Sequence, residues 1–295
     1  MSLRRCLLLA LLPLFSLCLP AQELLVSGSW LAARLDDPEL TIIHVGSTED
    51  YAEGHIPGAR LVRLEDISVT GPNDLRLQLP RVDALREAFG RLGVTDTNRI
   101  VLYRSKGAIQ SVTRVWFTLD YLGLGERASI LDGGLAVWQA EGRPVAKTPV
   151  APVSTSFAAR PRPIQVASAE WVRMQRSNPS VLVVDARAPE FYSGAQKGMM
   201  SRAGRVPGAV NAPYTSFFDE QGKFRPREEL LRLLRADGTA PQPLRVTYCH
   251  IGQQATVPYF ASRLLGLEVR LFDGSYQEWS QRTEFPVETD PQNGK

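Results

Sequence analysis

The sequence predicts an α/β fold built twice over. Three observations carry that prediction: short β-branched runs alternate with helical patterns, the whole rhythm occurs once in each half, and a Pro- and Ala-rich stretch separates the halves. The strand runs of the first half are "TIIHV" (41–45), "RIVLY" (99–103) and "ASILDG" (128–133); those of the second are "VLVVDA" (181–186), "LRVTY" (244–248) and "EVRLFDG" (268–274). They are apolar nearly throughout, the pattern of strands covered on both faces in a parallel sheet flanked by helices. Between them, "RVDALREAFGRLG" (81–93) and "REELLRLLRADG" (227–238) place apolar residues at i, i+3 and i+4 with glycine near the end, as amphipathic helices do.

The halves also repeat residue for residue. Glu49 and Tyr51 recur as Glu190 and Tyr192, and Asp132 and Trp138 recur as Asp273 and Trp279, each 141 positions on. By Pro57-Gly58 and Pro207-Gly208 the offset is 150, so the second copy carries an insert, 193–203, around "GAQKGMMSR". "AKTPVAPVSTSFAARPRPIQ" (146–165) reads as a linker by composition. Ahead of both copies, "MSLRRCLLLALLPLFSLCLPAQE" has the basic start, short apolar run and Pro-Ala exit of a secretory signal peptide cut after Ala21. An uncleaved anchor is the alternative, but the run is short for a span of about 20 residues. The expected organisation is a signal peptide at 1–21, domains at 22–146 and 166–295, and a linker at 147–165.

A chain of 295 residues, 44% hydrophobic and 22% charged, is large enough for two cores. Removing Arg4 and Arg5 from the 34 basic residues leaves 32 against 31 acidic ones, with no basic block. Such a balance gives no reason to expect nucleic acid or an anionic membrane surface as partner. Cys6 and Cys18 leave with the signal, so Cys249 remains alone, and with three histidines in the chain no Cys/His zinc cluster is expected. Cys249 ends a strand run and precedes a helical one, "ATVPYFASRLLG", and functional groups of parallel sheets collect at strand carboxyl ends. Three readings stay open: an inert buried cysteine, an intermolecular disulfide, and a nucleophile whose thiolate is favoured by loop N–H groups and a helix start.

Six motifs, in order, bear on the choice: "EGHIPGA" (53–59), "DGGLAVW" (132–138), "DARAPEF" (185–191), "GRVPGAVNAP" (204–213), "YCHIGQQA" (248–255) and "DGSYQEW" (273–279). Together they resemble the tandem-domain rhodaneses, a sulfurtransferase family, in an exported bacterial form. The resemblance implies that Cys249 opens a six-residue loop and becomes a persulfide. The N–H groups of His250, Ile251, Gly252, Gln253, Gln254 and Ala255 would cradle it, with Gly252 tolerating positive φ. It also implies that Asp185, Arg187 and Glu190 order the neighbourhood by ion pairing, with Arg205 beside them. Trp138, Trp279 and His55 are expected to be structural. Thiosulfate or 3-mercaptopyruvate would be the donor, and cyanide or a thiol the acceptor, with neither metal nor organic cofactor. The mature protein would be a periplasmic or secreted monomer without stable membrane association.

In the first copy Arg104, His44 and Gly46 stand where the second has Cys249, Asp185 and Arg187, so that copy is expected to be non-catalytic. Arg104 either faces the cleft and attracts an anionic donor or bridges within the core. Two departures from the family bear on the donor. "CHIGQQ" matches neither the basic loops of thiosulfate enzymes nor the small-residue loops of mercaptopyruvate enzymes, and Phe191 replaces a basic residue that many members carry. Lys197, Arg202 and Arg205 could compensate, and thiosulfate is the donor expected of an exported enzyme. A related phosphatase and arsenate-reductase branch has a longer loop ending in arginine; here position 255 is Ala and the next arginine is Arg263. A persulfide carrier that does not turn over is the remaining alternative.

Overall fold

The computed structural model describes residues 23–107, 109–151, 153–236 and 243–291, so the expected signal peptide lies outside the described residues. The first half forms a sheet of β1 (Leu25–Val26), β2 (Leu40–Val45), β3 (Arg60–Val62), β4 (Arg99–Arg104) and β5 (Ala128–Leu131), in the order β1-β5-β4-β2-β3. The second forms a sheet of β6 (Val181–Asp185), β7 (Val210–Asn211), β8 (Leu244–Tyr248) and β9 (Val269–Leu271), in the order β7-β6-β8-β9. Every pairing within the two sheets is parallel. Ile100, Val101 and Leu102 are successive residues of β4 with no exposure, which requires cover on both faces, as their apolar run predicts. The two sheets share a register: His44 lies opposite Tyr103, and Asp185 opposite Tyr248. Cys249 and Arg104 therefore occupy equivalent places at the ends of their central strands.

From each central strand the chain passes through a loop into a helix, Ile109–Tyr121 in the first half and Thr256–Leu264 in the second. These two helices pack on each other. Trp116 meets Phe260 edge-on at 4.8 Å, Phe117 meets Tyr259 at 4.9 Å, and the Thr113 and Thr256 hydroxyls are 2.7 Å apart. Asp120, fully buried, accepts from Tyr259 and Gln165 and faces Arg162 and Arg263. One hydrophobic cluster consequently runs from Ile43 and Trp116 through Cys249 and Phe260 to Leu271. The segment read as a linker is tied down as well: Thr155 bonds Gly90 and Val94, Arg160 bonds Leu122, and Phe157 is buried. Its composition foretells irregular backbone; it does not foretell that this backbone finds acceptors along the first half.

Each half also sends an arm across to the other. The arm 69–79, closed by Val69 and Gln78, gives the Leu79 N–H to the Asp273 carboxylate at 3.1 Å. The arm 218–224, closed by Phe218 and Phe224, gives the Phe224 N–H to Asp132 at 3.0 Å. The aspartates of the two Asp-Gly motifs are thus the sockets for these arms. Trp138 and Trp279 are fully buried, and each donates its indole N–H to a proline carbonyl, Pro144 or Pro286.

Because the core is shared, Phe260→Ala should cost about 3–5 kcal/mol, and fluorescence and circular dichroism should still report a single denaturant transition. Two separate transitions would contradict a common core.

Candidate active site

Cys249 follows β8 directly and is fully buried. Its N–H donates to the Ser275 hydroxyl at 3.1 Å, and its carbonyl accepts from Tyr276 at 2.9 Å. The next carbonyl, that of His250, accepts from Gln277 at 2.9 Å. The start of the loop is therefore laced to the 275–281 helix. Beyond it the chain turns at Gly252, with φ of +83°. A Cβ there would lie 2.5 Å from the Asp273 carbonyl, so both the turn and the close approach require glycine. Among the described residues the N–H groups of 250–255 donate to no protein acceptor. Six consecutive free donors in the loop ahead of the 256–264 helix are the donor set of an anion site.

The sequence-predicted pair Asp185 and Arg187 is present and buried. The Arg187 Nε and Nη2 reach the Asp185 carboxylate at 2.6–3.1 Å, and Nη2 continues to the Gly204 carbonyl at 2.8 Å. Tyr248, the residue before Cys249, donates its hydroxyl to Asp185 at 2.6 Å and accepts from the Val206 N–H. Burial raises the Tyr248 pKa, and the neighbouring Asp185 charge adds to that, so the phenol remains a donor. Arg187 lies 4.1 Å over the Tyr276 ring, whereas burial and the loss of solvation are opposed by Asp185, which keeps the guanidinium charged. This network fixes the end of β8.

Three other expectations change. Among the described residues the Glu190 carboxylate makes no ion pair; its carbonyl accepts from the Gln196 N–H and the Ser193 hydroxyl. Arg205 stacks on Tyr192 at 4.3 Å and pairs with Glu288 and with Asp290 at 2.7 Å, holding the C-terminal segment. Arg202 bonds the carbonyls of Trp279, Ser280, Arg282 and Phe285, where a helix end leaves acceptors free. Both arginines are spent, so neither compensates for Phe191, and Lys197 is exposed without an ion pair. His55 is structural, as expected: it stacks on Tyr51 at 3.8 Å and bonds the Tyr51 and Thr148 carbonyls. Arg104 is the bridging kind, reaching Gly107 and, across the halves, Gly222, each at 3.4 Å.

His250 packs edge-on against Phe191 at 4.6 Å, and Gly198 of the insert lies close against the far side of Phe191. Burial, Arg187 and then Arg76 depress the His250 pKa to about 4, so its ring is neutral at neutral pH. Gln253 reaches across to the Ser111 hydroxyl at 3.0 Å, a role its sequence did not suggest; Gln254 leaves a buried side-chain oxygen without a partner. Ile251 is partly exposed, and Ala255 is buried at the helix start.

Sequence reasoning missed Arg114. This residue, on the 109–121 helix and fully buried, bonds the Gly252 carbonyl at 3.1 Å, Asp273 at 2.5 Å and the Leu77 carbonyl at 2.6 Å. It joins the Cys249 loop, the Asp-Gly socket and the opposing arm. The one signal available was a cation inside the apolar run "TRVWFTL". In the first copy the corresponding site is dismantled. His44 bonds the Tyr103 hydroxyl, and its Nε2 and the Ser105 hydroxyl lie buried without partners beside Gly46, which has the position of Arg187. Burial, with His55 nearby, lowers the His44 pKa to about 4.

An α/β chain whose one cysteine among the described residues opens a loop of free N–H groups, repeated once without that cysteine, defines a duplicated cysteine-loop protein. The sequence pattern of the rhodanese-like domain matches residues 27–141 and again 168–282, and the chain belongs to that family. It is similar to a thiosulfate sulfurtransferase of Azotobacter vinelandii, 32% identical over 266 residues, covering 90% of this chain and 97% of that protein. It is also similar to the 3-mercaptopyruvate sulfurtransferase of Escherichia coli K12, 31% identical over 277 residues, covering 89% and 97%. An anaerobic ergothioneine biosynthesis enzyme from Chlorobium limicola shares the fold, with a TM-score of 0.80 at 23% identity over 92% of this chain and 71% of that one.

Removing one partner of a buried ion pair strands the other, so Arg114→Met should destabilise the protein by about 3–5 kcal/mol in denaturant titration. The two neutral histidines set an acid limit. In the unfolded chain they protonate near pH 6.5, while the folded chain resists until about 4. The unfolded state therefore binds more protons in that window, and stability falls with pH through it and levels off below it. Each histidine should contribute about 2 kcal/mol of loss between pH 7 and pH 5. Denaturant midpoints at the two pH values should lie closer together in His44→Gln and His250→Gln than in the unaltered protein.

Proposed function

We propose that this chain is a rhodanese-type sulfurtransferase that carries sulfane sulfur on Cys249. The observation that carries this reading is that its one described cysteine opens a loop whose next six backbone N–H groups have no protein acceptor. The Cys249 thiolate attacks the outer sulfur of thiosulfate; a sulfur–sulfur bond forms, the donor's own sulfur–sulfur bond breaks, and sulfite leaves with the electron pair. The persulfide anion then lies among the N–H groups. Cyanide or a thiolate takes the terminal sulfur, and the Cys249 thiolate returns. The Asp185–Arg187–Tyr248 network positions the end of β8, and Arg114 positions the turn at Gly252; neither group needs to touch the donor.

Thiosulfate is the donor we favour over 3-mercaptopyruvate, since relatives of both kinds are similarly close and an exported enzyme meets thiosulfate more readily. Export to the periplasm or beyond is proposed on the N-terminal signal pattern, and a monomeric mature protein on its self-contained pair of halves.

Thiocyanate formation from cyanide, measured with each donor, tests the assignment. Turnover should be present in the reduced unaltered protein and fall at least about 1,000-fold in Cys249→Ser, which removes the nucleophile. Activity that survives the substitution would refute the role of Cys249. A persulfide that forms stoichiometrically but does not turn over would indicate a carrier.

A further inference from the structure

The charges around the catalytic loop are largely cancelled. Arg187 is paired with Asp185, Arg114 with Asp273, and His250 is neutral at neutral pH. Phe191 supplies an aromatic face. Among the described cations of the second half, the one that acts on His250 is Arg187, which is already paired with Asp185, although a sulfur donor such as thiosulfate is an anion.

One cation arrives from the first half. Arg76, near the tip of the 69–79 arm, is exposed, and its guanidinium has no ion-pair or hydrogen-bond partner among the described residues. Its position is fixed through the backbone. The Arg76 N–H donates to the Gln277 side-chain oxygen at 3.0 Å, and the Gln277 N–H donates to the His250 carbonyl. The next carbonyl, of Leu77, is held by the same Arg114 that holds Gly252. Gln277 and Gln281 also bond the carbonyls of Asp74 and Asn73 at 2.8 and 3.1 Å. The arm adopts this shape against its own preference: Asn73, Asp74 and Leu77 all have positive φ, between 56° and 62°. Left-handed backbone is disfavoured for a side chain such as that of Leu77, so the contacts with the second half maintain the shape. The arm thus holds Arg76, with its guanidinium free, at Gln277, the residue whose own N–H is bonded to the His250 carbonyl of the loop.

We propose that Arg76 is the specificity-determining cation for the anionic sulfur donor, supplied by the non-catalytic half in place of the basic residue that Phe191 has displaced. The proposal rests on Cys249 being the sulfur acceptor. It assigns to Arg76 the attraction and orientation of the donor's anionic end, with no part in bond making.

The test uses the full chain with Arg76→Ala and Arg76→Lys, and two readouts. The first is alkylation of Cys249 by iodoacetate, an anion, relative to iodoacetamide, which is neutral and of similar size. That ratio should fall about 10-fold in Arg76→Ala at low ionic strength, recover in Arg76→Lys, and converge with the unaltered protein as salt rises. The second is thiosulfate turnover, where Arg76→Ala should raise KM about 10-fold and leave kcat within about twofold. An unchanged alkylation ratio would overturn the proposal, as would an equal slowing of both reagents, which would mark Arg76 as merely shaping the loop. Since the ratio needs no turnover, absence of thiocyanate in the unaltered protein would reject the sulfurtransferase reading separately.

Discussion

One buried guanidinium organises the half that bears Cys249, and it belongs to the other half. Arg114 is fully enclosed, so its charge is tolerated only while its hydrogen bonds are made. Its three acceptors come from the turn at Gly252, the Asp273 socket and the Leu77 carbonyl. Any displacement of the loop leaves a buried charge unsatisfied, which ties the shape of the loop to the docking of two sheets. The helix pairing that carries Arg114 is secured by Trp116, Phe117, Tyr259 and Phe260, where hydrophobic burial supplies the energy and the guanidinium supplies the register.

Around Cys249 two kinds of polar work are kept apart. Side chains build the frame: Asp185, Arg187 and Tyr248 lock the strand end, and Ser275 receives the cysteine N–H. The backbone N–H groups of 250–255 are left without protein acceptors among the described residues. This separation explains how side chains in the loop, such as Gln253, can be used for bridging to Ser111. It also explains why a neutral His250 against Phe191 is compatible with anion chemistry at the neighbouring position.

What was legible in the sequence was what is local or repeated. The strands announced themselves by buried β-branched runs, Gly252 by the demands of a tight turn, and the Asp185–Arg187 pair by the family resemblance of the Asp-x-Arg motif. What was illegible acts over long separations. Arg114 and Gly252 lie 138 positions apart, and Arg76 and Gln277 lie 201 apart; no pattern of either segment records the contact. Proximity in sequence also misled. Arg202 and Arg205 neighbour the insert, yet each is drawn to carbonyls or carboxylates at the C-terminal end. The 147–165 segment has a linker's composition, but its backbone groups meet acceptors along the first half.

The crossed arms give the duplication a genetic meaning. Asp132 holds the arm of the second half and Asp273 that of the first, so each copy closes the other's loop. The copy without the cysteine is thus not dispensable; its residues hold the shape of its sibling. Selection on sulfur transfer therefore bears on residues throughout a half that has no reactive atom, and the smallest heritable unit of this activity is the duplicated chain.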